Sequence, residues 1–157
     1  MTTDTLAAAL QREHREIDQE IEAYLAGRAA DEGHTEPLIR AITALRRHIF
    51  LEEEFLFPPL REAGLVAPVF VMLREHGEIW DTMDALDTQL GADAANAAIS
   101  ENCEQLLAQL ERHNSKEEPI LYPRADSVLT AVAGASLRAF LAAGHIPKGW
   151  VCAQAGA

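Results

Sequence analysis

The twelve residues RHIFLEEEFLFP, from Arg47 to Pro58, return as RHNSKEEPILYP from Arg112 to Pro123. Both fit Arg-His-x-x-x-Glu-Glu-x-x-Leu-aromatic-Pro, and both place a histidine four residues before a glutamate. On a helix that spacing sets imidazole and carboxylate on one face, ~6 Å apart. A shorter echo accompanies it: Arg12-Glu13-His14-Arg15-Glu16-Ile17 recurs as Arg74-Glu75-His76-Gly77-Glu78-Ile79. A chain written this way is constrained to a duplicated helical hairpin. Each half carries one lone histidine and one His-x-x-x-Glu pair.

Helical periodicity elsewhere agrees. A first helix is predicted from about Asp4 to Ala26, with Leu6, Leu10, His14, Ile17, Ile21 and Leu25 on its seam and Gly27 as its stop. Thr35 is the expected N-cap of a second, with Pro37 in its first turn. That helix runs to about Phe57 through Leu38, Ile42, Leu45, His48, Glu52 and Phe55, and Pro58-Pro59 and Gly64 break it. A third spans roughly Pro68 to Leu90, using Val69, Met72 or Leu73, His76, Ile79 or Trp80, Met83 and Leu86. The fourth starts after Gly91 and Asp93, with Ile99, Cys103, Leu106, Leu110, His113, Glu117 and Ile120 inward. Short connections between such helices predict an all-α, up-down-up-down four-helix bundle. Residues 125–143 read as a short fifth helix through Leu129, Val132, Leu137 and Phe140, packed across the bundle. Residues 1–143 are thus expected to form one domain, and residues 144–157, punctuated by Gly and Pro, a C-terminal tail that docks, forms an ordered flap or frays. A length of 157 residues with 48% hydrophobic composition suits a single core of this kind.

In antiparallel neighbours, two residues share a height when they are equidistant from the turn. The midpoint of His14 and His48 is position 31; that of His48 and His76 is 62; that of His76 and His113 lies between 94 and 95. All three fall in or beside predicted connections, so four histidines should occupy one level of the bundle. Glu52 and Glu117 fall together in the next layer, where the other two helices carry Leu10 and Met72. A lone histidine on an apolar stripe is ordinary core, and one His-x-x-x-Glu pair is ordinary helix chemistry. Six such groups at one depth are different, because buried without compensation they would cost several kcal/mol or more. A pair of metal ions removes that cost.

Imidazole and carboxylate without thiolate suit iron, manganese or zinc. Each glutamate is placed to bridge two ions, with two histidines completing each; the pairing of histidines stays open at this stage. An oxo- or hydroxo-bridged pair of iron ions is the expected cofactor, with manganese or zinc as substitutes. The ferritin-like carboxylate type needs Glu-x-x-His, and the residues three before the histidines are Gln11, Leu45, Leu73 and Leu110.

On these residues the chain resembles hemerythrin-like proteins, the cation-binding family of repeated His-x-x-x-Glu hairpins. The resemblance covers roughly residues 5 to 123. It implies a non-haem di-iron centre that binds or processes dioxygen, nitric oxide, peroxide or related small ligands. Carried onto this chain, the family's ligands are His14, His48, Glu52, His76, His113 and Glu117. Oxygen-carrying members use a fifth histidine on the third helix; here the residues four before and after His76 are Met72 and Trp80. The four-His, two-Glu set looks more like members tied to nitrosative stress, cluster repair, peroxide handling or oxygen sensing. Five ligands per iron would leave each ion an open position.

Neighbouring residues are assigned lesser parts. Glu53 and Glu118 turn about 100° off the seam and read as solvated or hydrogen-bonded to the ligands. Asp18 is weighed as an extra ligand or as a partner to an imidazole, with its side of the histidine layer against ligation. Trp80 and Tyr122 are assigned to packing. Pro119 should distort the fourth helix near Ser115. His34 and His145 lie off the seam. Cys103 reads as inert core, and Cys152 sits in the tail, where exposure is open; two such cysteines argue against a disulfide framework.

With 25 acidic against 13 basic residues, a formal charge of −12 disfavours nucleic acid and anionic membrane as partners. No export signal or spanning segment is read, so a cytoplasmic protein is expected. No nucleophile–base pair, phosphate loop or Cys-Cys motif supports naming catalytic residues. The leading function is a di-iron protein for small oxygen or nitrogen ligands. The alternatives are an iron, oxygen or redox sensor, an oxidoreductase acting on peroxide or nitric oxide, and an iron donor for iron-sulfur cluster repair. The last is weakened because the implied family members carry a cysteine-bearing domain that this sequence does not supply.

Overall fold

The structure, a computed structural model, describes residues 4–29, 34–92 and 96–157. Its helices are α1 (Leu6–Ala29), α2 (Glu36–Leu51), a π-helical turn (Glu52–Leu56), α3 (Phe57–Glu62), α4 (Val66–Gly91), α5 (Asn96–Ile120), α6 (Tyr122–Val128) and α7 (Ala131–Ala143). α1 packs on α2 and α5, and α4 packs on α5 and α2, so the four long rods close a ring. Neighbours run antiparallel: His48 reaches Glu13 while Arg40 reaches Glu20. Likewise His113 reaches Glu75 while Asn102 reaches Gln89. The four-helix bundle expected from the periodicity is therefore the fold. Among the described residues no helix is long and apolar enough to cross a membrane.

Several boundaries differ from expectation. α1 continues through Gly27 to Ala29, and the expected start of the fourth helix at Asp93 lies outside the described residues. Thr35 stands at the N-cap of α2 but makes no side-chain capping bond. Pro58-Pro59 do not break the second rod. Phe57 N–H donates to Glu52 across a π turn, and the prolines then open α3, where missing donors cost nothing. The extra residue in that turn rotates the positions after it, so Leu56 and Phe57 are buried and Phe55 only partly so. Gly64 at φ 104° ends the segment in the left-handed region that favours glycine. The single fifth helix is two: Leu129 is extended, and Thr130 caps α7 by accepting from Ala133 N–H. Leu137 and Phe140 face the core, whereas Val132 is 77% exposed and Ile120 is 48% exposed.

The interior falls into two apolar clusters. One is built from Ile17, Ile21, Leu45, Ile79, Leu106 and their neighbours, toward the loops that join α1 to α2 and α4 to α5. The other gathers Leu6, Leu10, Leu56, Phe57, Met72, Tyr122 and the inner face of α7 at the opposite end. The tail docks against the bundle side. Trp150 meets Phe50 and Trp80 edge-on at 5.0 and 5.5 Å, Cys152 is buried, and Gly156 N–H donates to Asp81. Gly77 makes the approach possible, since a Cβ there would collide with the backbone of Gln154.

Candidate metal centre

Between the two apolar clusters lies one polar layer. His14, His48, Glu52, His76, His113 and Glu117 are all at most 4% exposed. α1, α2, α4 and α5 each contribute one histidine, and the carboxylates come one turn after His48 and His113. The rings share one level, as the height argument requires, and the structure pairs them: His14 and His48 are 4.7 Å apart, His76 and His113 4.9 Å. Two groups of donor atoms result, His14, His48, Glu52 and Glu117 in one, Glu52, His76, His113 and Glu117 in the other, each within 4.8 Å of one another. All six residues singled out in the sequence are thus brought together.

Each carboxylate divides between the groups. Glu52 sets Oε2 3.2 Å from His48 Nε2 and Oε1 3.1 Å from His76 Nε2. Glu117 sets Oε1 3.2 Å from His14 Nε2 and Oε2 3.4 Å from His113 Nε2. This is the disposition of a bridging carboxylate, one oxygen to each side.

The outer nitrogens are held by a second ring of carboxylates. His14 Nδ1 donates to Glu118 (2.8 Å), His113 to Glu75 (3.0 Å), His76 to Glu53 (2.8 Å) and His48 to Glu13 (2.8 Å). In each case the carboxylate comes from the next helix, so the ring closes α1 to α5 to α4 to α2 to α1. A carboxylate only accepts, so each Nδ1 carries a proton, and in the neutral ring each Nε2 turns its lone pair inward, as metal-binding imidazoles do. The outer carboxylates are themselves fixed: Arg47 bonds Glu13, Lys116 bonds Glu75, and Ala153 N–H of the tail donates to Glu53 (3.0 Å). Glu53 and Glu118 are therefore bonded to imidazoles rather than merely solvated. Glu13 and Glu75 were not anticipated, although the repeated Arg-Glu-His triplet carries them.

Burial drives imidazoles toward neutrality, yet the surrounding carboxylates outweigh it and raise the pKa of all four, that of His113 to about 10. Burial alone would raise Glu75, but His113 and Lys116 hold it down at about 2. The layer draws positive charge. Two further signs fit a cation. His113 Nε2 and Glu117 Oε2 are buried without a hydrogen bond. Tyr122, assigned to packing from sequence, places its hydroxyl 2.8 Å from His14 Nε2, 3.0 Å from His48 Nε2, 2.6 Å from Glu52 Oε2 and 3.0 Å from Glu117 Oε1. With the rings neutral, as cation binding requires, one hydroxyl has one proton to give and cannot satisfy four inward-facing acceptors.

A cavity of ≈ 10 Å³ opens on the side away from Tyr122, walled by the four histidines, Ile17, Leu45, Ile49, Ile79 and Leu110. That is about the space of one water molecule. Asp18 and Asn114 border it, each with a buried oxygen lacking a hydrogen bond. Burial pushes Asp18 up to about 6, against the opposing charge of His14. Asp18 belongs to neither donor group and bonds no imidazole. Trp80 packs, as expected, under Arg46. His34 and His145 are exposed and stand apart. Pro119 sits inside α5, which continues past Ser115 to Ile120.

Fold and layer together define a helical-bundle protein whose interior is shaped as a cage for cations. The family described as the hemerythrin HHE cation binding domain matches residues 5–125, and the chain belongs to it. It is also similar to the uncharacterized proteins Mb2018 of Mycobacterium bovis and Rv1995 of Mycobacterium tuberculosis, at 27% identity over 140 residues. The alignment covers 78% of this chain and 54% of theirs, so the chain spans about half the length of these relatives. No solved structure matches it.

Proposed function

We propose that the chain holds two iron ions, bridged by Glu52 and Glu117, and presents them to a small ligand such as dioxygen, nitric oxide or peroxide. His14 and His48 complete one ion, and His76 and His113 the other. The observation that carries this reading is the division of each buried carboxylate, one oxygen to each histidine pair. Such a centre supplies redox change and open coordination positions; the chain's part is to orient four Nε2 lone pairs, exclude water and wall a cavity of diatomic size. A reducing cytoplasm suits its two free cysteines. Metal quantification on protein produced with iron available tests the proposal. Two irons per chain, with new visible absorption on adding azide to the oxidised protein, are expected. A single ion, or a centre that azide leaves unchanged, would refute it.

A sensor reading has one specific support. The tail's Ala153 N–H bonds the same carboxylate that holds His76, which gives the centre a route to the protein surface. Ligand binding without turnover, accompanied by release of the tail, would favour the sensor over an oxidoreductase.

A further inference from the structure

We propose that Tyr122 is a seventh protein ligand, its phenolic oxygen bonding the ion of the His14–His48 pair and leaving the ion of the His76–His113 pair as the one open to exogenous ligands. The inference rests on the two-ion reading above. Its ground is the position of one atom. The Tyr122 hydroxyl lies 2.6 to 3.0 Å from four donor atoms, which are the donors of one cation group. Metal–nitrogen and metal–oxygen bonds in such sites are about 2.0–2.2 Å. A cation bonded to those four donors therefore arrives within bonding reach of the phenolic oxygen, or must expel it.

Expulsion has nowhere to go. Tyr122 is 0% exposed, its ring lies 5.2 Å from that of His14, and it is packed within the apolar cluster at the α7 end. A small shift along its own axis moves the oxygen from the centre of the group into its shell, whereas a rotamer change would drive the ring into packed side chains. As the metal–oxygen bond forms, the phenolic O–H bond breaks and its proton leaves to solvent.

The duplicated motif makes the two halves unequal. The residue matching Tyr122 in the first repeat is Phe57, whose ring stacks on His76 at 5.4 Å. Its ring covers the second cation group as Tyr122 covers the first, but it offers no donor. With two histidines, two bridging carboxylates and a bridging oxygen, the ion of His14 and His48 becomes six-coordinate once Tyr122 joins. The other ion would keep one position for an exogenous ligand.

The test uses the iron-loaded protein and its Tyr122→Phe variant. Resonance Raman spectra excited in the visible band should show tyrosinate ring modes in the wild type, shifted by ring-deuterated tyrosine. The only other tyrosine, Tyr24, lies in the opposite apolar cluster. The variant should retain both irons, lose those modes, and rise from one azide bound per chain to two. Wild-type protein with two irons and no tyrosinate modes would overturn the ligand while leaving the two-ion reading intact. Wild-type protein without iron would overturn both. Should the variant fail to fold, the wild-type spectrum with deuterated tyrosine still decides.

Discussion

The two halves of the bundle share their histidines and glutamates and differ around them. His14 and His76, His48 and His113, Glu52 and Glu117 occupy matching places in the repeats, and the structure closes them into one layer. Matched positions beside them diverge: Arg15 against Gly77, Asp18 against Trp80, Ile49 against Asn114, and Phe57 against Tyr122. On the His76 side, glycine and tryptophan receive the tail. On the His14 side, a carboxylate borders the cavity and a phenol enters the cluster. Chelation tolerates no change in donor type or height, so those positions stay alike. The surroundings are free to specialise, and they make a near-symmetric cage into a centre with unlike ends.

The largest effect separates shared from private ligands. Glu52→Ala removes an oxygen from both donor groups, so metal content should fall from two ions per chain to almost none. His113→Ala touches one group, and about one ion should remain. Equal losses from both variants would mean that the two carboxylates do not bridge. Next come the outer carboxylates. Glu53→Gln weakens the acceptor that fixes His76, and Glu13→Gln the one that fixes His48. Each should lower metal affinity by about 10–100-fold, measured by competition with a chelator. Glu53 is nearly enclosed beneath the tail, at 6% side-chain exposure against 21% for Glu13, so its variant should suffer more. The reverse order would deny the tail any hold on the centre.

Much of the inner layer is legible in the sequence itself. Histidines spaced symmetrically about three turns fix their own height, because antiparallel rods leave no other register, and the six inward-facing side chains are set with them. The outer carboxylates were half legible. Glu53 and Glu118 sit in the repeated doublet, and Glu13 and Glu75 precede His14 and His76. Which helix each one reaches depends on the order of helices around the ring, which periodicity does not carry. The π turn was hidden for a related reason. Pro58-Pro59 signal a break, yet one extra residue absorbs the missing donors and the rod continues. That turn brings Phe57 over His76, just as the interruption at Leu121 brings Tyr122 into the layer. An aromatic one residue off the seam looks like packing until the local backbone is known. The tail is a case of tertiary contact alone: Cys152 is buried because Gly77 has no side chain to hold Gln154 away.

Gly77→Ala tests that contact. The added methyl cannot fit against the Gln154 backbone, and overpacking of this kind costs about 1–3 kcal/mol. The more telling readout is the thiol of Cys152. In the wild type it is buried and its pKa is pushed up to about 12 by burial and the neighbouring Glu53, so alkylation should be slow at neutral pH. In the variant, labelling of Cys152 located by peptide mapping should accelerate, while Cys103, enclosed on the inner face of α5, stays protected. No increase would show that the tail is anchored by Trp150 and not by the close approach at Gly77.

The smallest effect concerns Asp18, the counterpart of Trp80. Burial raises this carboxyl from 3.8 to about 6, so the folded protein holds a proton there more tightly than the unfolded chain. Above pH 6 the ionised carboxylate, its buried Oδ1 without a hydrogen bond, is a burden on the native state; the burden fades as pH falls through 6 and is gone below 3.8. The full shift would correspond to about 3 kcal/mol, and partial exposure reduces this to about 1 kcal/mol. Asp18→Asn keeps the shape and removes the charge. Metal-free Asp18→Asn protein should therefore be more stable than metal-free wild type by that amount at pH 7.5 and indistinguishable from it near pH 4, by urea unfolding. A constant difference across that range would mean that the carboxylate has a partner in solution. The unlike ends of the cage would then differ less in charge than in shape.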